Sequence, residues 1–243
     1  GIVAETNELI RRAAGEWGAN PTFWLRGLPT RDMYLVPALC ARPTLHSTGP
    51  LAISERIADG PFASDGSGGA FSSDPRLRRC GWALVHISTG VAPTVLGEFW
   101  GPLAGKQSVP RAELHALCCL LDVSQGSTTV YVDALAVVKG WWRGATAENS
   151  NMADLWDCFW DKYHEYPGSL RIVWMPSHKT LEYLLSLGLP AVAYYANARA
   201  DKLADAGAAQ HQLLQSVVTA VQGTDDLVRN VQQRLVHINM IAA

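Results

Sequence analysis

Four acidic residues stand in settings that could do chemistry: Asp65 in Phe62-Ala-Ser-Asp-Gly-Ser-Gly-Gly69, Glu113 in Arg111-Ala-Glu-Leu-His-Ala-Leu117, Asp133 in Val130-Tyr-Val-Asp133 and Asp201 in Asn197-Ala-Arg-Ala-Asp-Lys-Leu-Ala204. A lone carboxylate is ordinarily a solvated surface group. Four that converge would concentrate negative charge, which is hard to sustain without bound cations. An all-oxygen donor set suits Mg²⁺ or Mn²⁺ rather than zinc, and points to a divalent-metal nuclease.

The elements that must position these acids can be read from the pattern around them. Phe62-Ala-Ser-Asp65, Cys80 to Ile87 and Thr94 to Trp100 read as three strands of an antiparallel meander. Pro110 suits an early helical position, and Ala112, Leu114, Ala116, Leu117, Leu120 and Leu121 supply the apolar face of a helix that carries Glu113. Thr128 to Asp133 is a fourth strand, and Ala134 to Trp142 a short helix. Asn151 to His164 repeats Met152, Leu155, Trp156, Phe159, Trp160 and Tyr163 at helical spacing, a core stripe. Leu170 to Met175 is a fifth strand, and Ala196 to Ala209 a helix bearing Asp201.

The order βββαβαβα predicts an α/β domain over 60–209, with a five-stranded mixed sheet, three strands antiparallel and then two parallel, flanked by helices. If the first and fourth strands are neighbours, Asp65, at or near the end of the first, lies beside Asp133 at the end of the fourth, with Glu113 and Asp201 directed into the same cleft. Such a cluster can hold two Mg²⁺ ions about 3.5 to 4 Å apart, one activating water and one stabilising a leaving 3′ oxygen.

Outside that domain, residues 4–17 read as a helix with Leu9, Ile10, Ala13 and Trp17 on one side. Pro21, Pro29, Pro37, Pro43, Pro50 and Pro61 then break the chain, so 1–59 reads as a helix and a linker or strap. The 210–243 tail reads as two helices broken near Gly223, available to pack on the domain, on a neighbour or on another copy.

Of the 243 residues, 48% are hydrophobic and 17% charged, enough to bury a sizeable core. No apolar stretch approaches the roughly 20 residues of a membrane span, and the start lacks a secretory pattern. A first residue other than Met suits a fragment or processed product. The five scattered cysteines form no Cys-x-x-Cys pair, so a reducing intracellular compartment, cytoplasm or nucleus, is the simplest reading. With a net charge of −2, any nucleic acid would have to be held by a local patch.

Asp-Gly-Ser after an apolar strand, Arg-Ala-Glu-Leu opening a helix, Tyr-Val-Asp, and Asn-x-x-Ala-Asp-x-Leu-Ala come in one order. Together they resemble the ribonuclease H family, type 1 enzymes and retroelement domains in particular, over roughly 60–209. The resemblance implies a ribonuclease H-like fold and an endonuclease that cuts the RNA strand of RNA/DNA hybrids, leaving 5′-phosphate and 3′-hydroxyl ends. By position, Asp65 would bridge both metals, Glu113 and Asp133 would bind the ion on the leaving-group side, and Asp201 the ion that activates water. His178, in Trp174-Met-Pro-Ser-His178, matches the family's mobile-loop histidine, which would assist proton transfer or product departure. The implied partners are the hybrid and a reverse transcriptase, as in a non-LTR retrotransposon polyprotein.

Substrate contacts are expected from Gly66, Ser67 and Asn197 within those motifs, and from Arg111, Lys139 and Trp141. Arg76, Arg78, Arg79, Arg143, Lys179 and Arg199 are further phosphate candidates, and Trp141 and Trp142 form either a stacking ledge or core. Three features depart from the family pattern. Val109 and Pro110 stand where many members place groove-reading asparagines, a basic protrusion is missing after Trp141-Trp-Arg-Gly144, and residues 179–196 form an insertion common in retroelement-like domains. That insertion either caps the site or packs on the core through Leu181, Leu184, Leu185 and Leu187. Two other readings stay open: a catalytically unused structural subunit, and a related nuclease such as an integrase or junction resolvase.

Overall fold

The computed structural model describes residues 2–39, 44–52, 56–57, 59–90, 92–144 and 152–242. Cys40, Pro43, Asn151 and the 145–150 stretch, on which the missing basic protrusion turns, lie outside the described residues. The chain divides into two compact units, Leu39–Gln212 and Gly1–Ala38 with Leu213–Ala243, where the sequence reading draws boundaries at 59 and 209.

The larger unit is built on a six-stranded sheet. Its strands are β1 (His46–Thr48), β2 (Gly60–Ser67), β3 (Gly81–Ile87), β4 (Val95–Pro102), β5 (Ser127–Val132) and β6 (Ser169–Trp174), in spatial order β1-β4-β3-β2-β5-β6. The pairs from β1 to β2 are antiparallel, and β2, β5 and β6 run parallel. The expected mixed sheet of five strands, three antiparallel and then two parallel, is present, and β1 adds a sixth from the proline-broken leader. Three residues suffice to pair β1 with the edge of β4, and the His46 ring stacks on Trp100 at 4.2 Å. So short a strand leaves little trace in a proline-dense sequence.

Alternation along the strands makes two cores. Phe62, Leu84, Val130, Val132 and Ile172 face α3 (Val109–Val123), α4 (Leu135–Trp142) and α5 (Ala153–His164) through Leu114, Leu117, Val137, Trp156 and Phe159. Ala63, Ala83, Val85, Tyr131 and Val173 face α6 (Leu181–Ser186) and α7 (Ala191–Ala209). Each fully buried Leu or Phe in such a layer contributes roughly 1.5–3 kcal/mol.

On the second face α7 lies very close to the strands. A Cβ on Gly81 would sit 2.1 Å from the Ala204 carbonyl oxygen, and one on Gly207 would sit 2.4 Å from the Gly101 carbonyl oxygen. Small residues, with Ala196, Ala200, Ala204 and Ala208 all buried, therefore set the depth at which Asp201 is carried. The helix starts five residues earlier than expected and absorbs the end of the 179–196 insertion. The rest of the insertion is α6, capped by Thr180 Oγ1, which accepts from the Tyr183 N–H at 3.2 Å. Only Leu184 of the four expected leucines is buried; Leu185, next to it in α6, is turned to the other side and 50% exposed, and Leu187, past the end of the helix, is 50% exposed too.

The smaller unit contains α1 (Ile2–Glu16), α2 (Pro21–Arg26) and α8 (Gln215–Ala242). Phe23, Trp24, Leu227 and Val231 form its core, with Leu9, Ala13 and Leu235 against them. Here the leader is more ordered than its prolines suggest, since Pro21 opens α2 in the first turn, where a missing N–H costs nothing. The tail is one helix, not two. Gly223 in its interior costs about 1 kcal/mol relative to Ala, which burial of Leu227 and Val231 offsets. No described helix is long and apolar enough to cross a membrane.

Candidate active site

The parallel ladder between β2 and β5 ends at the rung Ser64 with Val132, so the next residues on the two strands are Asp65 and Asp133. Asp65 lies near the end of its strand as expected, two residues before β2 stops at Ser67, and it also pairs with Ala83 of β3. That double support holds it 6% exposed, whereas Asp133 sits half-buried just past the end of β5. Glu113 arrives from α3 and is 2% exposed.

Glu113 can reach the strands because residue 66 has no side chain. A Cβ on Gly66 would lie 2.9 Å from the Ala112 Cβ and 2.9 Å from the Glu113 nitrogen. The same glycine donates its N–H to Asp65 Oδ1 at 2.7 Å, which fixes that carboxylate's rotamer. One carboxylate oxygen from each of Asp65, Glu113 and Asp133 lies within 4.8 Å of the others.

Buried acids this close resist ionising together. Burial first, then the charges of Asp133 and Asp201, raises Asp65 from 3.8 to about 7, against the Gly66 hydrogen bond, which lowers it. Glu113 is pushed well above the ordinary carboxylate range by burial, then by Asp65 and Asp133. Asp133 is raised by burial too, while the charge of His178 pulls it down and that of Asp201 pushes it up.

The residues fit a hard divalent cation. All the donors are oxygens, and Glu113 Oε2 is buried with no hydrogen-bond partner. A bound cation would satisfy that atom and relieve the repulsion that drives the three acids toward their protonated forms.

Asp201 stands outside the three-oxygen cluster but within electrostatic reach of both strand acids. With His178, Asn197, Lys179 and Lys202 it lines a cavity of about 220 Å³ between α7 and the loop after β6. His178 is the single non-glycine residue with positive φ among the described residues, at 52°, a strained conformation of a kind that clusters at functional sites. All five residues expected to do chemistry are thus in one neighbourhood.

Some solved structures are similar to this chain at low identity. The PFV RNase H domain is 20% identical, with a TM-score of 0.49 over 65% of this chain and 98% of that one. LC11-RNase H1, solved in complex with an RNA/DNA hybrid, is 17% identical, with a TM-score of 0.44 over 62% and 96%. A Prototype Foamy Virus protease-reverse transcriptase is 21% identical, with a TM-score of 0.45 over 61% of this chain and 20% of that one. No family model and no curated protein matches the sequence. At such identities and TM-scores, function has to be read from the chain's own residues.

The expected substrate contacts fare unevenly. Asn197 lines the cavity, 7% exposed, its Oδ1 buried without a partner. Gly66 serves the packing just described, and Ser67 Oγ donates to Asp205 Oδ1 at 2.5 Å. Arg111 is committed to Asp154 through two hydrogen bonds of 2.7 and 2.5 Å, which hold the Asp154 carboxyl down to about 2. Trp141 is packed in an aromatic cluster, stacked on Trp160 at 5.3 Å and edge-on to Tyr163 at 4.9 Å, and the exposed ring is Trp142. Lys139 is exposed, and Arg199 is paired with Glu98 at 2.6 Å.

Three residues near the site escaped the sequence reading. Trp174 donates its indole N–H to the Asp133 carbonyl at 3.1 Å, Ser177 sits close enough to the Asp133 carboxylate to favour its charged form, and Lys202 faces the cavity. Lys202 had a legible signal, because Tyr194, Ala198 and Lys202 fall at i, i+4 and i+8 on one helix face.

Proposed function

We propose that this chain is a ribonuclease H that hydrolyses the RNA strand of RNA/DNA hybrids with two divalent ions, Mg²⁺ or Mn²⁺. The observation that carries the reading is the oxygen triad of buried Asp65 and Glu113 with half-buried Asp133, and Asp201 and His178 beside it, on a mixed sheet with the expected strand order. Asp65, Glu113, Asp133 and Asp201 would hold the ions. Ions bound there would lower the pKa of a water and stabilise the charge that develops on the phosphate and its leaving oxygen.

The residues of the chain do the rest. Gly66 and the β2–β5 ladder fix the direction of the acids before substrate arrives, so little reorganisation is left for the reaction. The imidazole of His178, exposed on its turn near Asp133, takes or returns a proton as product leaves. Retroelement origin, with a reverse transcriptase as partner, is proposed on the 179–196 insertion, which forms α6 and the start of α7.

The test is a substrate panel. Labelled RNA/DNA hybrid, RNA duplex, DNA duplex and single strands are incubated with Mg²⁺ or Mn²⁺. Cleavage of RNA in the hybrid alone supports the reading; cleavage of DNA duplex, or of nothing, overturns it.

A further inference from the structure

The cavity between α7 and the loop after β6 holds more than the catalytic groups. Its floor is Met175, Pro176 and Leu184, and its rim carries Lys179, Lys202 and the Asn197 amide. Among the described residues neither lysine has a carboxylate within ion-pairing distance; the Lys179 ammonium lies 5.8 Å from the centre of the Tyr183 ring. Two unpaired cations beside a cluster of buried acids are electrostatically idle in the free protein. They complement an anion that arrives at the acids from this side.

Asn197 adds the second half of the pattern. It is more than nine-tenths buried, lines the cavity, and has one amide atom without a partner, a state that costs roughly 1–3 kcal/mol unless a ligand satisfies it. A ribose 2′-hydroxyl can both donate and accept, so it suits either atom of the amide. The volume of about 220 Å³ matches a sugar and its phosphate rather than a base pair.

We propose that this cavity is a ribose-phosphate subsite for the RNA strand, with Lys179 and Lys202 holding the phosphate and the Asn197 amide hydrogen-bonding the 2′-hydroxyl. The proposal rests on the hybrid-cleaving reading above. It supplies a reader of RNA against DNA in a chain whose helix-opening positions, Val109 and Pro110, have no amide to offer. It also gives α6 a purpose, since Leu184 closes the floor and the loop before the helix presents Lys179.

The experiment has two arms, both with Mg²⁺. In the first, hybrid binding by Asp133→Asn protein is followed by anisotropy across a salt series. Lys179→Gln and Lys202→Gln should each flatten the slope of log affinity against log salt by about 0.7–0.9, the value of one lost phosphate contact. Arg56→Gln, an exposed change beside the N-terminal end of β2 and away from the acids, should leave the slope unchanged.

In the second arm, wild-type protein cuts hybrids that carry one 2′-deoxynucleotide in the RNA. Cleavage at one fixed offset from that nucleotide should fall about fivefold, the worth of one hydrogen bond. Asn197→Ala, and separately the volume-conserving Asn197→Leu in case the truncated protein fails to fold, should abolish that dependence. Cleavage of the hybrid with unchanged lysine slopes, or with the offset dependence intact in both Asn197 variants, overturns the subsite and leaves the ribonuclease reading standing. Failure of the wild type to cut any hybrid overturns both.

Discussion

Trp174 at the end of β6 donates its indole N–H to the carbonyl of Asp133, 3.1 Å away just past the end of the neighbouring strand. This bond holds the backbone from which the Asp133 carboxylate projects, just where the β5–β6 ladder ends at the rung Val132 with Trp174. Replacing Trp174 with Phe keeps a ring but removes the donor. Affinity for Mn²⁺, read by calorimetry, should fall about tenfold, the lower end of what a lost support behind a metal ligand costs. The far-ultraviolet dichroism of the variant should match that of the wild type.

Gly66→Ala tests how the third acid reaches the other two. The added methyl would meet Ala112 and the Glu113 nitrogen at 2.9 Å, so α3 has to retreat from β2. A loss of about 1–3 kcal/mol in urea unfolding is expected. Cleavage should fall further than stability accounts for, because Glu113 is displaced with the helix.

The acids also predict a pH dependence. Asp65 is raised to about 7 and Glu113 in the same direction, so the folded state binds protons more tightly than the unfolded chain. The stability this provides is fully present below the ordinary carboxylate pKa and is lost as pH rises from about 4 through 7, by an amount of order a few kcal/mol. In a chelator, the melting temperature should therefore decline over that range. Mg²⁺ should raise it more at pH 8 than at pH 5, and Glu113→Gln should raise the chelator value at pH 8.

Arg111 separates a structural ion pair from a substrate contact. Its side chain is 11% exposed and spent on Asp154, so Arg111→Gln should lower the melting temperature by about 2 °C, as a loss near 1 kcal/mol does in a chain of this size. The salt dependence of hybrid binding should stay as it is.

The sequence showed much of this because the acids sit where local rules are strong. Alternating apolar residues around Asp65 and Asp133, and the proline-led helix of Glu113, announce strands and a helix from a few residues each. What escaped depended on distant partners. The pairing of β1 with β4, the continuity of α8 through Gly223, and the commitment of Arg111 to Asp154 are decided by residues far away in the chain. Trp141 and Trp142 make the point within two residues, since only packing against Trp160 and Tyr163 determines which ring is partly covered and which is exposed.

The most direct test is strand-resolved. A hybrid labelled separately on RNA and DNA is incubated with Mg²⁺ and either wild-type or Asp133→Asn protein, and the product ends are identified. The account predicts that the RNA strand alone is cut, with 5′-phosphate and 3′-hydroxyl ends, and that the variant leaves it whole. An intact RNA strand with wild-type protein, or cleavage that survives in the variant, would contradict it.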